Sequence, residues 1–132
     1  MDDSLYICNL KTLEWKKYNI IGQKPEAMYG SSIFLYENFL YVMFGTNSRQ
    51  YVSNVYRINI ETLVSECLFN SKKILENANF REIIELNKIY PDDFLSGRYR
   101  QEVILFEKNV FVFGGGKKEG DSLPLNKVII SN

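Results

Sequence analysis

An internal repeat constrains the fold of this 132-residue chain more than any other feature of its sequence. Residues 5–15 align with residues 55–65 at an offset of fifty residues and without a gap. Four pairs of positions are identical in the two segments: Tyr6 and Tyr56, Asn9 and Asn59, Thr12 and Thr62, Leu13 and Leu63. Each segment predicts a strand, a tight polar turn and the start of a second strand. A period of this length indicates an architecture in which one structural unit is stacked repeatedly.

A second repeat predicts the other half of the unit. Residues 37–45 resemble residues 107–115 at an offset of seventy, and an apolar strand precedes each segment, at residues 31–36 and 101–106. Polar residues separate the two strands in each copy, which predicts two-stranded hairpins. The unit is therefore four strands long. Because hydrophobic residues make up 45% of the chain, there is ample apolar content for stacked sheets.

The repeat divides the chain into four parts. We assign residues 1–24 to the last two strands of one unit, residues 25–69 to a complete unit, and residues 98–132 to the first three strands of a further unit. Residues 70–97 interrupt the pattern and predict an inserted loop or a short helix. This insertion is either a tolerated loop expansion or an element that docks a partner. The sequence thus predicts an all-β fold with about two to three four-stranded antiparallel units.

Composition excludes several classes of function. Sixteen basic residues balance sixteen acidic ones, so the chain lacks the net positive charge that favours binding to nucleic acid or to an anionic membrane surface. Histidine is absent, which excludes histidine-dependent catalytic triads and the zinc sites of metalloproteases. Cys8 and Cys67 are too few for a structural zinc site and predict two reduced thiols in an intracellular protein. Neither a signal peptide nor a membrane span is recognisable, so we expect a cytoplasmic protein, with the nucleus left as an alternative.

The glycine run at residues 114–116 resembles part of a phosphate-binding loop, but the residues around it do not match such a loop. Glu119 occupies the third glycine position of a dinucleotide-binding pattern, and Asp121 stands where a phosphate-binding loop needs lysine. The glycines instead predict a sharp turn at the end of a strand. Adjacent carboxylates at residues 2–3 and 92–93 fit solvated loops better than a metal site or a glycosidase site. We therefore predict a protein that is not an enzyme and holds neither a cofactor nor a metal.

Three stretches carry a resemblance to the kelch family of β-propellers. Residues 40–45 and 110–115 are apolar strands that end in glycine, and residues 6–15 supply the third match. The resemblance implies that each four-stranded unit is a blade and that the chain is a partial propeller. Three residues depart from the pattern, because a glycine is expected at Phe44, a tryptophan at Ser65 and an arginine at Ala27. Such propellers have about six blades, so we expect the sequence to be either a fragment or a degenerate derivative.

The resemblance also implies a function in protein binding. Related kelch proteins serve as substrate receptors of cullin-RING ubiquitin ligases that recognise the C-terminal ends of target proteins. They are also linked to positive regulation of stress-activated kinase signalling. In a full-length protein of this kind, a further segment binds the elongin and cullin complex. The alternative function is a signalling scaffold that binds a phosphatase or a kinase without ligase function.

Cationic and aromatic residues near the start of a predicted inner strand form the candidate peptide-binding site. These residues are Arg98, Tyr99 and Arg100, together with Arg49, Tyr51 and Tyr29. In a propeller, the start of an inner strand lies near the central channel. A guanidinium group there can bind a carboxylate through two hydrogen bonds while tyrosines wall the pocket. The alternative is that Arg98 or Arg100 links adjacent blades through backbone carbonyls.

Overall fold

The structure is a computed structural model, and most of the residues that it describes form short strands joined by turns. It describes residues 2–77, 79, 81, 85, 97–118, 121–122 and 128–131. The elements are β1 (Leu5–Cys8), β2 (Trp15–Tyr18), β3 (Ile21–Gly22), β4 (Ser32–Tyr36), β5 (Phe39–Thr46), β6 (Tyr51–Asn59), β7 (Val64–Phe69), α1 (Ser71–Asn77), β8 (Glu102–Phe106), β9 (Asn109–Phe113), β10 (Gly116–Lys118), β11 (Asp121–Ser122) and β12 (Val128–Ser131). The prediction of an all-β fold is confirmed.

The central sheet contains β4 to β7 as a four-stranded antiparallel meander in chain order. In its first hairpin Tyr36 lies opposite Phe39, so a two-residue turn joins β4 to β5. In its last hairpin Ile58 lies opposite Ser65. β3 adds a fifth strand at the outer edge, parallel to β7, and the sequence did not predict this strand.

The hairpins β1–β2 and β6–β7 repeat the same turn at the offset of fifty residues. The side-chain oxygen of Asn9 accepts hydrogen bonds from the N–H groups two and three residues ahead, at 2.9 and 3.2 Å. Asn59 accepts the equivalent bonds at 2.9 and 3.0 Å. Leu13 and Leu63 both have a left-handed backbone, with φ of 57° and 61°. The asparagine and leucine identities of the repeat therefore belong to one kind of turn, which the asparagine side chain stabilises.

The hairpins β4–β5 and β8–β9 repeat each other at the offset of seventy residues. β8 pairs with β9 in the register that β4 has with β5. Gly114 and Gly115 follow β9 and have φ of 61° and 93°, whereas the equivalent residues Phe44 and Gly45 lie within β5 and have φ of 63° and 118°. Phe44 thus adopts the backbone conformation of the glycine that it replaces, which is strained for a residue with a side chain.

The apolar core lies between the central sheet and the β8–β9 hairpin. Its buried centre consists of Met43, Phe44 and Val112. The side chains that pack around this centre are Phe34, Val55, Phe69, Val103 and Val110. Because residues of both sheets share this cluster, the two sheets stack face to face, as blades do.

Buried hydrogen bonds join β4 to Gln101, the residue that precedes β8, beside this core. The Ser32 hydroxyl donates a hydrogen bond to the backbone oxygen of Gln101 at 2.8 Å. The side-chain amide of Gln101 donates in return to the Ser32 hydroxyl at 2.6 Å. Both side chains are buried, so these bonds satisfy groups that would otherwise be costly to remove from water.

The predicted insertion at residues 70–97 begins with α1. Apart from residues 79, 81, 85 and 97, the remainder of that segment after α1 lies outside the described residues. β1 and β2 lie within residues 1–24, β4 to β7 within residues 25–69, and β8 to β12 within residues 98–132. The assignment of these ranges to successive blades stays a prediction. Among the described residues, no helix is long and apolar enough to cross a membrane.

Candidate functional site

The candidate site lies at one end of the stacked sheets, which we call the loop end. Because neighbouring strands run in opposite directions, the start of β4, the β5–β6 connection and the end of β7 all lie there. The chain before β8 joins them through backbone hydrogen bonds. The Arg98 oxygen accepts from the Gly45 N–H at 2.8 Å, and the Arg98 N–H donates to the Val52 oxygen at 3.4 Å.

Gly97 explains how closely the chain before β8 approaches β6. Its φ is +78°, and a Cβ atom built at this position would lie 2.3 Å from the Val52 nitrogen. No side chain fits at that distance, so only glycine lets the two backbones pack directly against each other. This packing brings the residues that follow Gly97 next to the start of β6.

Three tyrosines meet at the loop end and form what we call the tyrosine cluster: Tyr29, Tyr51 and Tyr99. Tyr99 is the central member. Its ring centre lies 5.4 Å from that of Tyr51, with the planes tilted by 49°, and 6.1 Å from that of Tyr29, with the planes nearly perpendicular at 88°. Tyr29 is 42% exposed and accepts a hydrogen bond from the Ser48 hydroxyl at 3.3 Å. Aromatic rings that keep exposed faces in such an arrangement offer a surface for stacking against a ligand.

The repeat places Tyr29 and Tyr99 at equivalent positions of two blades. Tyr29 forms an antiparallel bridge with Thr46, and Tyr99 forms the same bridge with Gly116, seventy residues later in both cases. Tyr51 comes from β6 of the central sheet. The cluster therefore spans two blades and exists only when they are packed together. The offset of seventy, extended backwards from the hairpins, would have revealed this equivalence in the sequence.

Arg100 presents an exposed guanidinium beside the tyrosine cluster. Its Cζ atom lies 5.5 Å from the ring centre of Tyr99, and its backbone N–H donates to the Gly30 oxygen at 2.8 Å. Arg100 has a φ of 54°, and its repeat equivalent Gly30 has a φ of 68°. An exposed arginine thus occupies a position where the equivalent residue of the other repeat is glycine.

Arg98 lies in the interior, and its prediction as a peptide-binding residue is wrong in this structure. Its exposed fraction is 0%, and its Nη1 atom donates to the Gly114 oxygen at 2.9 Å. Its guanidinium carbon lies 5.7 Å from the ring centre of Phe44. A side chain without exposed surface cannot contact a peptide, and the carbonyl that Arg98 binds, that of Gly114, lies within the same predicted blade. Its contact with the central sheet is made through the Phe44 ring, and the alternative of a link between blades through backbone carbonyls stays a prediction.

Arg49 lies in the β5–β6 connection, at the loop end with the tyrosine cluster. Its side chain is exposed, and its backbone N–H donates to the side-chain oxygen of Asn47 at 3.0 Å. The same asparagine oxygen accepts from the N–H of Gln50 at 3.1 Å, which holds the short loop in shape. Arg49 is therefore a second exposed cation at this end of the chain, on a loop that local hydrogen bonds order.

Titratable groups with shifted pKa values include a pair on the central sheet. Burial raises the pKa of Tyr56 and of the Cys67 thiol, which lie opposite each other on β6 and β7. A raised thiol pKa lowers the thiolate fraction, so Cys67 suits packing better than nucleophilic or metal-binding chemistry. Within the described residues, no group of three or more Cys, Asp or Glu side chains is placed to hold a metal ion.

The fold and the site define a class of protein. A four-stranded antiparallel meander stacks on a three-stranded antiparallel sheet with the inner strands β4 and β8 side by side, and a left-handed residue pair lies near the end of β5 and directly after β9. This arrangement, with its repeated asparagine turns, is that of kelch blades. The chain belongs to the kelch family and forms a partial kelch β-propeller, and kelch domains are typically binding modules.

The particular protein that this chain resembles is Kelch domain-containing protein 10. The chain is 30% identical to that protein from Xenopus tropicalis over 115 residues, which are 86% of the chain and 24% of the relative. It is 31% identical to the Drosophila melanogaster homolog over 100 residues, 76% of the chain and 14% of the relative. It is 22% identical to the Homo sapiens protein over 130 residues, 96% of the chain and 24% of the relative.

The matches cover most of this chain but only part of each relative. The chain spans about a quarter or less of the length of the curated relatives it matches. No family profile matches the chain. The matches therefore support a kelch protein-binding module.

Proposed function

We propose that this kelch module binds the C-terminal end of a protein or peptide at the loop end, with Arg100 as the carboxylate-binding residue. The observation that carries the proposal is the position of Arg100, whose exposed guanidinium lies beside the tyrosine cluster on a left-handed backbone. Backbone strain at an exposed residue is commonly associated with a functional site. Arg49, exposed on the neighbouring loop, is the second cation that favours a negatively charged ligand.

The chemistry of the two kinds of side chain fits such a ligand. A guanidinium group binds a carboxylate through two parallel N–H···O bonds, which no neutral chain end can accept in the same way. The tyrosine rings pack against the last side chains of the peptide, and their hydroxyl groups add hydrogen bonds. Hydrogen bonds to charged groups contribute about 1.5–3 kcal/mol each. Loss of the arginine should therefore weaken binding by about tenfold or more, since 1.4 kcal/mol is a factor of ten.

The wider role that we propose is that of a substrate receptor in a cullin-RING ubiquitin ligase. The proposal starts from the similarity to Kelch domain-containing protein 10. It adds the ligase-receptor role and the link to stress-activated kinase signalling that the kelch resemblance implies. Contact with elongin and cullin would then depend on a segment other than the residues that form the tyrosine cluster. A signalling scaffold that binds a phosphatase or a kinase is the alternative, and it does not require a free carboxylate.

Peptide selection followed by titration tests the carboxylate hypothesis. A random peptide library displayed with free C-termini is selected on the chain, and recovered sequences are synthesised as free acids and as C-terminal amides. We expect the amides to bind about tenfold more weakly or worse. Arg100→Ala should weaken binding of the free acid to the same extent. Amidation should cost nothing further in this variant, because both changes remove one interaction.

Two further variants make the titration specific. Arg100→Gly removes the guanidinium and also relieves the left-handed strain, so it should lose affinity without losing stability. Arg57→Ala is the matched arginine control, because Arg57 pairs with Glu66 further along β6 from Tyr51. It should bind the peptide as the wild type does. Equal affinity for the free acid and the amide, or recovery of no C-terminal sequence, would reject carboxylate recognition and leave the scaffold.

A further inference from the structure

A cavity of about 480 Å³ lies between the central sheet and the β8–β9 hairpin. The central sheet contributes Phe34, Tyr36 and Tyr41 to its lining, and the hairpin contributes Leu105 and Lys108. Phe34 also packs against the apolar core, while Tyr36 and Lys108 lie at the turns of the two hairpins. The cavity therefore continues the core towards these turns. Its volume falls within the range of small-molecule sites, about 300–1,000 Å³.

The wall on the central sheet is aromatic. Phe34 and Tyr41 lie opposite each other on β4 and β5, with ring centres 5.0 Å apart and ring planes only 2° from parallel. Tyr36 lies two residues after Phe34 on the same strand, so its side chain is on the same side of the sheet. Parallel rings on one wall favour a flat ligand that stacks against them, since aromatic pairs gain from such contact beyond the area that they bury.

The charge at the cavity is positive. Lys108 is the one charged residue among those that line it, and its side chain is exposed, so the cavity opens to solvent there. Glu37 and Glu107 lie in the two turns at this end, but neither lines the cavity. Among the ion pairs of the described residues, none includes Lys108. An apolar body with a negatively charged group at one end fits this arrangement of side chains.

We propose that the cavity binds a small aromatic carboxylate, with its rings stacked against the aromatic wall and its carboxylate beside Lys108. This site is separate from the one that we assign to Arg100. Arg100 precedes β8 and Lys108 follows it, so the two cations lie at opposite ends of the strand. The ligand of the cavity is a small molecule, and its binding does not require the tyrosine cluster.

Isothermal titration calorimetry with 2-naphthoate tests the class of ligand. The amide of this acid has the same rings without the charge, and decahydro-2-naphthoate has the charge without aromatic rings. We expect both analogues to bind roughly two- to fivefold more weakly, because an exposed ion pair and a ring stack each contribute modestly. Lys108→Met should weaken binding of the acid to the same extent as amidation. The two changes should not add, because they remove one interaction.

Matched variants locate the ligand. Leu105→Trp fills the cavity and should weaken binding by about tenfold or more, because the rings lose their apolar surroundings. Ile104→Trp is its control, since Ile104 is the preceding residue of β8, is 55% exposed and points to the other side of the sheet. Lys11→Met, in the exposed turn after β1, is the control for the charge. Both controls should bind as the wild type does. Arg100→Ala should also leave the affinity for 2-naphthoate unchanged.

Nuclear Overhauser effects on the wild type provide a test that needs no substitution. With 2-naphthoate bound, its ring protons should show contacts to the methyl groups of Val55, Leu105 and Val110, which line the cavity. Circular dichroism verifies the fold of each variant. A wild type that does not bind 2-naphthoate would overturn the proposal, as would binding without these methyl contacts or binding that Arg100→Ala abolishes. Equal affinity for the amide would reject the carboxylate, and equal affinity for the saturated acid would reject the aromatic class.

Discussion

Phe44 is a residue at which the repeat and the packing predict opposite effects of one substitution. The equivalent residue after β9 is Gly114, and both have a left-handed backbone, with φ of 63° and 61°. The repeat alone predicts that Phe44→Gly stabilises the chain, because glycine has no Cβ to strain in this conformation. The packing predicts the reverse, because the Phe44 ring is fully buried with Met43 and Val112.

The magnitudes decide between these two effects. Relief of left-handed strain is worth about 1–2 kcal/mol. Removal of a buried phenylalanine side chain costs about 3–5 kcal/mol, because the transfer free energy is lost and a cavity is left behind. The contact between the Phe44 ring and the Arg98 guanidinium, 5.7 Å apart, is lost as well. We therefore expect Phe44→Gly to lower the free energy of unfolding by about 2–3 kcal/mol.

Urea denaturation at equal protein concentration, followed by far-ultraviolet circular dichroism, measures this difference. Phe44→Leu is the matched control, because it keeps the left-handed strain and most of the buried volume. It should lose less stability than Phe44→Gly. If Phe44→Gly proved as stable as the wild type, burial of the ring would not outweigh strain of the backbone, and the account of this position would be refuted.

The other predictions concern residues that hold the blades and turns together. Arg98→Met keeps the side-chain length but removes the hydrogen bond to Gly114, so urea denaturation should reveal a loss of about 1–3 kcal/mol; unchanged stability would argue against a structural role for the Arg98 guanidinium. Asn59→Ala removes two hydrogen bonds of its turn and should cost about 1 kcal/mol in the same assay, and no loss would contradict this account. Gly97→Ala places a Cβ 2.3 Å from the Val52 nitrogen, so it should alter the near-ultraviolet dichroism of the tyrosine cluster; an identical spectrum would contradict the role of this glycine.

The hairpins of this fold were predictable because their signals are local. Apolar residues at 31–36 and 101–106 are followed by short polar turns and second apolar runs, and these segments become the hairpins β4–β5 and β8–β9. The turns after β1 and β6 depend on Asn9 and Asn59, whose side chains bond to the backbone two and three residues ahead. A local pattern of this kind is visible in the sequence without knowledge of the packing.

The features that the sequence did not reveal depend on contacts between distant residues. β3 has only two residues, too few for an alternating pattern, and it forms because Ile21 lies opposite Val64. The ring contact between Tyr51 of β6 and Tyr99 before β8 also depends on long-range packing, although the sequence-based prediction groups both residues with Tyr29 in one candidate site. Hydrophobic periodicity describes the faces of single elements and contains no information about which loops meet when the elements pack.

Arg98 and Arg100 illustrate how a single backbone angle separates a buried side chain from an exposed one. Residues two apart on a regular strand point to the same side, so alternation predicts that both arginines are buried or both exposed. The left-handed backbone at Arg100 interrupts this alternation, with the result that Arg98 is buried and Arg100 is exposed. The other blade adopts the same backbone with Gly30, at no steric cost. Packing therefore requires the turn but not the arginine side chain, and this is why we propose Arg100, exposed beside three tyrosines, as the carboxylate-binding residue.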